Sequence, residues 1–199
     1  MSVSLRPLAW LALAAASAIL GGCGNPAVDA RIEALGEETP GGPSENHRPG
    51  QPCVLCHSLY GGAEPEMSIA GTLYATPDMV QDPNSGALVP PPPVANATVI
   101  LYDSFGDRRE AKTNCVGNFY ITSDWQPIFP LYTEVEYDLP GSNPAQKKRT
   151  AMSSYIQREG SCNTCHLGDR NQGSAGRIYC LLTPPATPFE VPAGCQVSQ

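Results

Sequence analysis

Two segments of the sequence repeat one short pattern. Cys53-Val54-Leu55-Cys56-His57 and Cys162-Asn163-Thr164-Cys165-His166 both read Cys-x-x-Cys-His. Two thiols three positions apart can each add to one vinyl group of a haem, forming two thioethers. The histidine that follows at once is then placed under the iron as its proximal ligand, and this spacing is the c-type haem attachment signal. Covalent attachment holds haem even where the polypeptide is too small to enclose it. At this Cys and His content a random chain of equal length would hold about 0.005 such motifs, so a pair is a specific signal. Two blander chemistries compete. Zinc prefers paired knuckles 15–20 residues apart, whereas these begin 109 residues apart and each still lacks ligands. Structural or redox Cys-x-x-Cys disulfides are the other, but no βαβ thioredoxin-like pattern surrounds either segment.

The ligand inventory constrains the iron chemistry. Two irons take up to four axial ligands, and the chain has three histidines. His57 and His166 are the proximal pair, so only His47 remains, and bis-histidine ligation at both sites from this chain is impossible. The available sixth ligands are His47, Met67, Met79 and Met152. A methionine thioether raises the reduction potential relative to histidine. Met152, ten residues before Cys162, is the candidate for the second haem, against a plain packing role. His47 is the candidate for the first, against an exposed loop position. Met67 and Met79 read as packing or loop residues. A haem left five-coordinate would instead imply ligand binding or peroxidase-like chemistry.

The flanks carry a resemblance. His47-Arg48-Pro49-Gly50-Gln51-Pro52-Cys53, then Gly160-Ser161-Cys162-Asn163-Thr164-Cys165-His166, then Gly176-Arg177-Ile178 resemble a group of exported bacterial multihaem-type proteins. Those open with Met-x-Pro-Gly-x-x-Cys-x-x-Cys-His and close with Gly-x-Cys-Asn-x-Cys-His and Gly-Arg-Ile. This chain has His47 where the group has Met; both ligate iron, and the exchange would lower that haem's potential. The resemblance implies a dihaem c-type cytochrome that passes electrons between redox protein partners.

The N-terminus points to export. Arg6 supplies a positive start, and Leu8 to Leu20 form a short apolar stretch, too short for a spanning helix and suited to a secretory signal. Leu20-Gly21-Gly22-Cys23 resembles the lipobox of bacterial lipoproteins, which implies lipidation of Cys23 and anchoring to a membrane at the periplasmic or cell-surface side. An ordinary signal peptide with Cys23 incidental is the alternative. A formal net charge of −7 with no long basic run excludes a nucleic-acid binder.

The elements that must position the motifs are mostly strands. Gly and Pro make up one residue in five of the 199, which argues against a helical bundle. Ile69–Tyr74, Ala97–Tyr102, Gly117–Ile121 and Thr133–Tyr137 have strand patterning. Pro90 to Pro93 form an exposed loop or spacer, and Arg31 to Leu35 make a turn or two of helix. Thr150 to Arg158 is the other candidate helix. The fold expected is mainly β: a small antiparallel β-sandwich flanked by two loop or short-helix haem-attachment segments. The divisions are a signal peptide over 1–22, a flexible tether over 23–46, a first motif segment over 47–67, the sandwich over 68–140, a second motif segment over 141–180 and a Pro-rich tail over 181–199. Ala70-Gly71-Thr72-Leu73-Tyr74, Ala97-Thr98-Val99-Ile100-Leu101 and Thr113-Asn114-Cys115-Val116-Gly117-Asn118-Phe119-Tyr120 resemble carboxypeptidase-regulatory-like or Cna-B-like sandwiches, which implies a fold and no particular function.

Three cysteines remain. Cys180 and Cys195 enclose the tail and are the expected disulfide, with Cys115–Cys180 as rival and Cys115 alone as a small buried hydrophobe. Lys147-Lys148-Arg149 reads as a solvated loop or a docking point for an acidic group. Asp82, Asp103 and Asp107 read as turn formers. No catalytic constellation stands out. The reading from a different class is a lipoprotein binding or adhesion module, its Cys-x-x-Cys pairs closed as disulfides or holding a structural zinc.

Overall fold

A computed structural model describes residues 25–38, 44–168 and 174–195. The signal segment 1–22 and the lipidation candidate Cys23 lie outside them. Among the described residues, short helices α1 (Pro26–Glu33), α2 (Cys53–Cys56) and α3 (Cys162–Cys165) accompany nine strands. Three strands, β1 (Met67–Tyr74), β6 (Asn118–Thr122) and β9 (Ile178–Tyr179), form one sheet in the order β6-β1-β9. The second sheet runs β5-β4-β7-β8, from β4 (Thr98–Tyr102), β5 (Arg108–Lys112), β7 (Tyr132–Asp138) and β8 (Lys147–Ala151). A short hairpin, β2 (Val80–Gln81) and β3 (Leu88–Val89), stands apart. The protein is mainly β, as the strand patterning predicts. All pairings are antiparallel except β1 with β9, which is parallel.

The two sheets close on a core of Ile69, Val99, Leu101, Phe119, Trp125 and Leu131, continued by Leu73, Val94, Val135 and Tyr137. β7 alternates as a half-covered strand should, with Val135 and Tyr137 inside and Glu134 and Glu136 partly exposed. β1 does not alternate. Every residue from Ile69 to Tyr74 is buried, because this strand packs on the other sheet and also receives both Cys-x-x-Cys-His segments. Its composition follows from that. A Cβ on Gly71 would stand 2.8 Å from the Phe119 ring and 2.9 Å from Cys162 Cβ, so only glycine leaves room for the second motif.

Four expectations are corrected. The 150–158 stretch is not a helix. Its start belongs to β8, and Ile156 bridges Leu131 through N–H···O bonds of 2.8 and 2.9 Å in the two directions. Lys147-Lys148-Arg149 is not a loop but most of β8. Arg149 pairs with Glu134 and Glu136 at 3.2 and 2.9 Å, and Lys147 with Asp138 at 3.3 Å. Opposite charges on neighbouring strands support the β7–β8 pairing there.

The helix expected at Arg31 to Leu35 lies earlier, at Pro26–Glu33. α1 is capped by the Asn25 side chain, and Leu35 and Glu38 reach the first motif's cavity. The disulfide is Cys115–Cys195, not Cys180–Cys195. Cys180 is a free thiol held in the core at the end of β9, with its N–H bonded to the Tyr74 carbonyl at 3.1 Å and its carbonyl accepting from the Tyr137 hydroxyl at 2.8 Å. The tail then crosses Tyr137 through Phe189 and ends against the loop that precedes β6, where Cys115 waits.

Candidate functional site

The two motifs, met by different flanking sequences, adopt one local geometry. Each makes a single helical turn, closed by the histidine N–H on the first cysteine's carbonyl: His57 to Cys53 at 2.9 Å and His166 to Cys162 at 3.0 Å. In each, the imidazole Nδ1–H is donated to a downstream backbone carbonyl, His57 to Pro65 at 2.9 Å and His166 to Gly176 at 2.6 Å. A carbonyl only accepts, so the proton sits on Nδ1 and Nε2 keeps its lone pair for a metal. Burial holds the His166 pKa below the ordinary imidazole value, with the Gly176 carbonyl opposing it. The ring therefore stays neutral, the state in which it ligates.

The four motif cysteines are free thiols. Burial pushes Cys53 up to about 11 and Cys162 up to about 12, and the Cys53 thiol beside it adds to the shift at Cys162. Burial also raises Cys56, against the pull of Arg48. None of the four is closed on another as a disulfide.

Each motif lines its own cavity. The first, about 550 Å³, is walled by Cys53, Cys56, His57, His47 and Met67. The His47 and His57 rings stand 5.8 Å apart, centroid to centroid, and His47 Nδ1 also faces a backbone carbonyl, that of Ser44. The second, about 650 Å³, is walled by Cys162, Cys165, His166 and Met152, with Arg177 and Tyr155 at its margin. Both volumes fall in the range of cofactor sites. The residues singled out in the sequence thus gather as two sets, with His47 beside the first motif and Met152 beside the second. Met67, read as packing, also lines the first cavity, while Met79 lies apart with its sulfur 3.3 Å from Arg177.

Ser161 Oγ and Thr133 Oγ1 are buried with no hydrogen-bond partner, and both residues line the second cavity. Orphaned polar atoms on an otherwise mainly apolar wall are what a bound group with polar substituents would satisfy. A haem would fit this donor set: two thiols, one imidazole whose Nδ1 is tied to a backbone carbonyl, and a further histidine or methionine in each wall. Among the described residues no three Cys, His, Asp or Glu side chains converge in a metal-holding cluster, whereas haem iron asks only one or two ligands of the protein.

Although 109 residues separate their first cysteines, the segments sit side by side on β1. Met67 N–H bonds the His57 carbonyl at 2.7 Å, and Ala70 N–H bonds the Gly160 carbonyl at 3.0 Å. Residues 160–163 extend the sheet edge that β9 leaves open, with Ser161 bridged to Ala70. Phe119 lines both cavities. Sequence reasoning missed Thr72, Asn118 and Phe119 at this junction. The one available signal was Gly71-Thr72, small and polar residues inside an otherwise apolar strand.

No protein-family model, curated protein or solved structure matches the chain. Among the described residues no helix is long and apolar enough to cross a membrane.

Proposed function

We propose that the chain is a dihaem c-type cytochrome that carries electrons between redox protein partners at the periplasmic or cell-surface side of a membrane, anchored through Cys23. The observation that carries this reading is the repeated arrangement: each Cys-x-x-Cys-His segment lines its own cavity with free thiols, an Nδ1-tethered histidine and a second axial donor.

A haem held at each site supplies one-electron chemistry, its iron passing between ferric and ferrous. The residues do the rest. Cys53 and Cys56, and Cys162 and Cys165, provide the thioether sulfurs. His57 and His166 provide the proximal nitrogens, and their bonds to Pro65 and Gly176 fix ring orientation and raise ligand basicity. His47 and Met152 would supply the second ligand at the first and second sites. A histidine pair sets a lower potential than a histidine–methionine pair, so the first site would hold the lower-potential haem. Phe119, buried in the core, is shared by both walls. The sandwich is the frame that seats both motifs on one strand.

The adhesion-module reading needs the motif cysteines as disulfides or zinc ligands; as free thiols they are available for thioethers instead. A pyridine haemochrome assay on protein co-expressed with haem-maturation machinery tests the haem reading. Two haems per chain are expected, and a colourless product contradicts the reading.

A further inference from the structure

Between the two sites lies a buried polar node that a sandwich core does not need. Thr72 on β1 and Asn163 in the second motif are 0 % and 1 % exposed. The Thr72 hydroxyl accepts from Gly50 N–H at 2.8 Å and from Asn163 Nδ2 at 3.0 Å, and donates to Asn118 Oδ1 at 2.8 Å. Asn163 Oδ1 accepts from Thr72 N–H at 3.2 Å, and its Nδ2 also donates to the Gln51 carbonyl at 2.9 Å. Asn118 Nδ2 donates to the His47 carbonyl at 2.9 Å. All three side chains are thereby occupied in gripping one loop, residues 47–51, at the His47 carbonyl, the Gly50 N–H and the Gln51 carbonyl. That loop presents His47 and leads straight into Cys53.

The grip has a consequence for assembly. His47 is held from β6 by Asn118, and the Asn118 amide is set in turn by Thr72 and Asn163. Gly50 has a positive φ of 82° and no room for a side chain, since a Cβ there would stand 2.8 Å from the Tyr74 hydroxyl. The loop therefore has one seat, and the second motif forms part of it.

We propose that Asn163, although it lies within the second Cys-x-x-Cys-His segment, is a positioning residue for the first site. Through Thr72 and Asn118 it fixes the loop that presents His47, so His47 reaches the first iron only while the second motif is seated on β1. The inference rests on the dihaem reading above. It makes the two sites one assembled unit instead of two independent carriers, and it gives the asparagine between Cys162 and Thr164 a task at the other haem.

The test uses full-length protein matured with haem, with haem counted first and the ferric protein then examined by electron paramagnetic resonance and near-infrared magnetic circular dichroism. Wild type is expected to show one bis-imidazole low-spin centre and one histidine–methionine centre. Asn163→Asp keeps the Oδ1 acceptor but removes both donated bonds. Thr72→Val removes the hydroxyl with little change of shape, and Asn118→Ala removes its bonds to Thr72 and to the His47 carbonyl while leaving Asn163 in place, so it keeps the test decisive if Asn163→Asp does not fold. Each variant is expected to lose the bis-imidazole signal, matching the spectrum of His47→Ala, with the histidine–methionine signal unchanged. Thr72→Ser, which retains the hydroxyl, is expected to retain the wild-type spectrum. Two haems with a full bis-imidazole signal in Asn118→Ala and Thr72→Val overturn this inference alone. No haem in wild type overturns the dihaem reading, and this inference with it.

Discussion

Asn163 Nδ2 lies 2.9 Å from the carbonyl oxygen of Gln51, 112 residues away in the chain. That single bond joins the segment that carries the second Cys-x-x-Cys-His motif to the loop that enters the first. It converts a wide sequence separation into adjacency, because one strand, β1, receives both motifs. On the proposed dihaem reading, this placement would let electrons pass within one molecule.

The distal donors are separable by substitution. His47→Ala should convert one ferric haem to high spin and open one haem per chain to carbon monoxide in the reduced protein, because no other histidine remains to replace it. Met152→Leu should act on the other haem, lowering the potential of that centre or leaving it five-coordinate. Spectra recorded on each variant and on the double variant check this. Identical effects of both substitutions on the same haem would contradict the assignment.

Gly71→Ala should dislodge the second motif. The added methyl meets the Phe119 ring and Cys162 Cβ inside ordinary contact distance, and overpacking of this kind costs about 1–3 kcal/mol. The expected outcome is a lower melting temperature and reduced haem content at Cys162 and Cys165, measured by haem-retaining peptide mapping. Full loading of both motifs would contradict it.

Reduction of the disulfide should be costly. Cys115 and Cys195 are 80 residues apart, and closing a loop of that length removes unfolded-chain entropy equivalent to about 4.5 kcal/mol. Cys115→Ser and Cys195→Ser should lower the stability of the protein alike in urea unfolding, while Cys180→Ala should leave that link untouched. Peptide mapping without reductant should join the Cys115 and Cys195 peptides; a Cys180–Cys195 link would contradict the fold's tail.

Acid should loosen the β7–β8 pair. The Arg149 guanidinium hydrogen-bonds Glu136 and, with Lys147, holds its carboxyl below the ordinary 4.5. A carboxyl that binds protons less readily when folded stabilises the fold above its unfolded pKa and loses that contribution as pH falls through the folded value. Thermal melts from about pH 6 to about pH 3 should therefore show a shallower acid decline in Arg149→Met than in wild type. The difference is small, because the pair is open to solvent. Equal slopes would remove this pair from the acid response.

How much was legible in advance varies by element. β1, β4, β6 and β7 announce themselves through Ile69–Tyr74, Ala97–Tyr102, Gly117–Ile121 and Thr133–Tyr137: β1 and β4 as short apolar runs, β7 by its period-two alternation. β8 does not: Lys147-Lys148-Arg149 has no apolar alternation, and only its partners Glu134, Glu136 and Asp138 give it an address. The motif residues were legible because their chemistry demands fixed spacing. The relay through Thr72, Asn118 and Asn163 was not, because hydrogen bonds between residues far apart in sequence leave no spacing to read. The disulfide misled for a related reason. A short loop between Cys180 and Cys195 favours closure, but the core claims Cys180 first through Tyr137 and Tyr74.

The most direct measurement is tandem mass spectrometry of proteolytic peptides from the matured protein. The account predicts one haem joined by two thioethers to the peptide that contains Cys53 and Cys56, and one to the peptide that contains Cys162 and Cys165. Both peptides recovered with unmodified thiols, or with their cysteines linked to each other, after maturation-competent expression would contradict it.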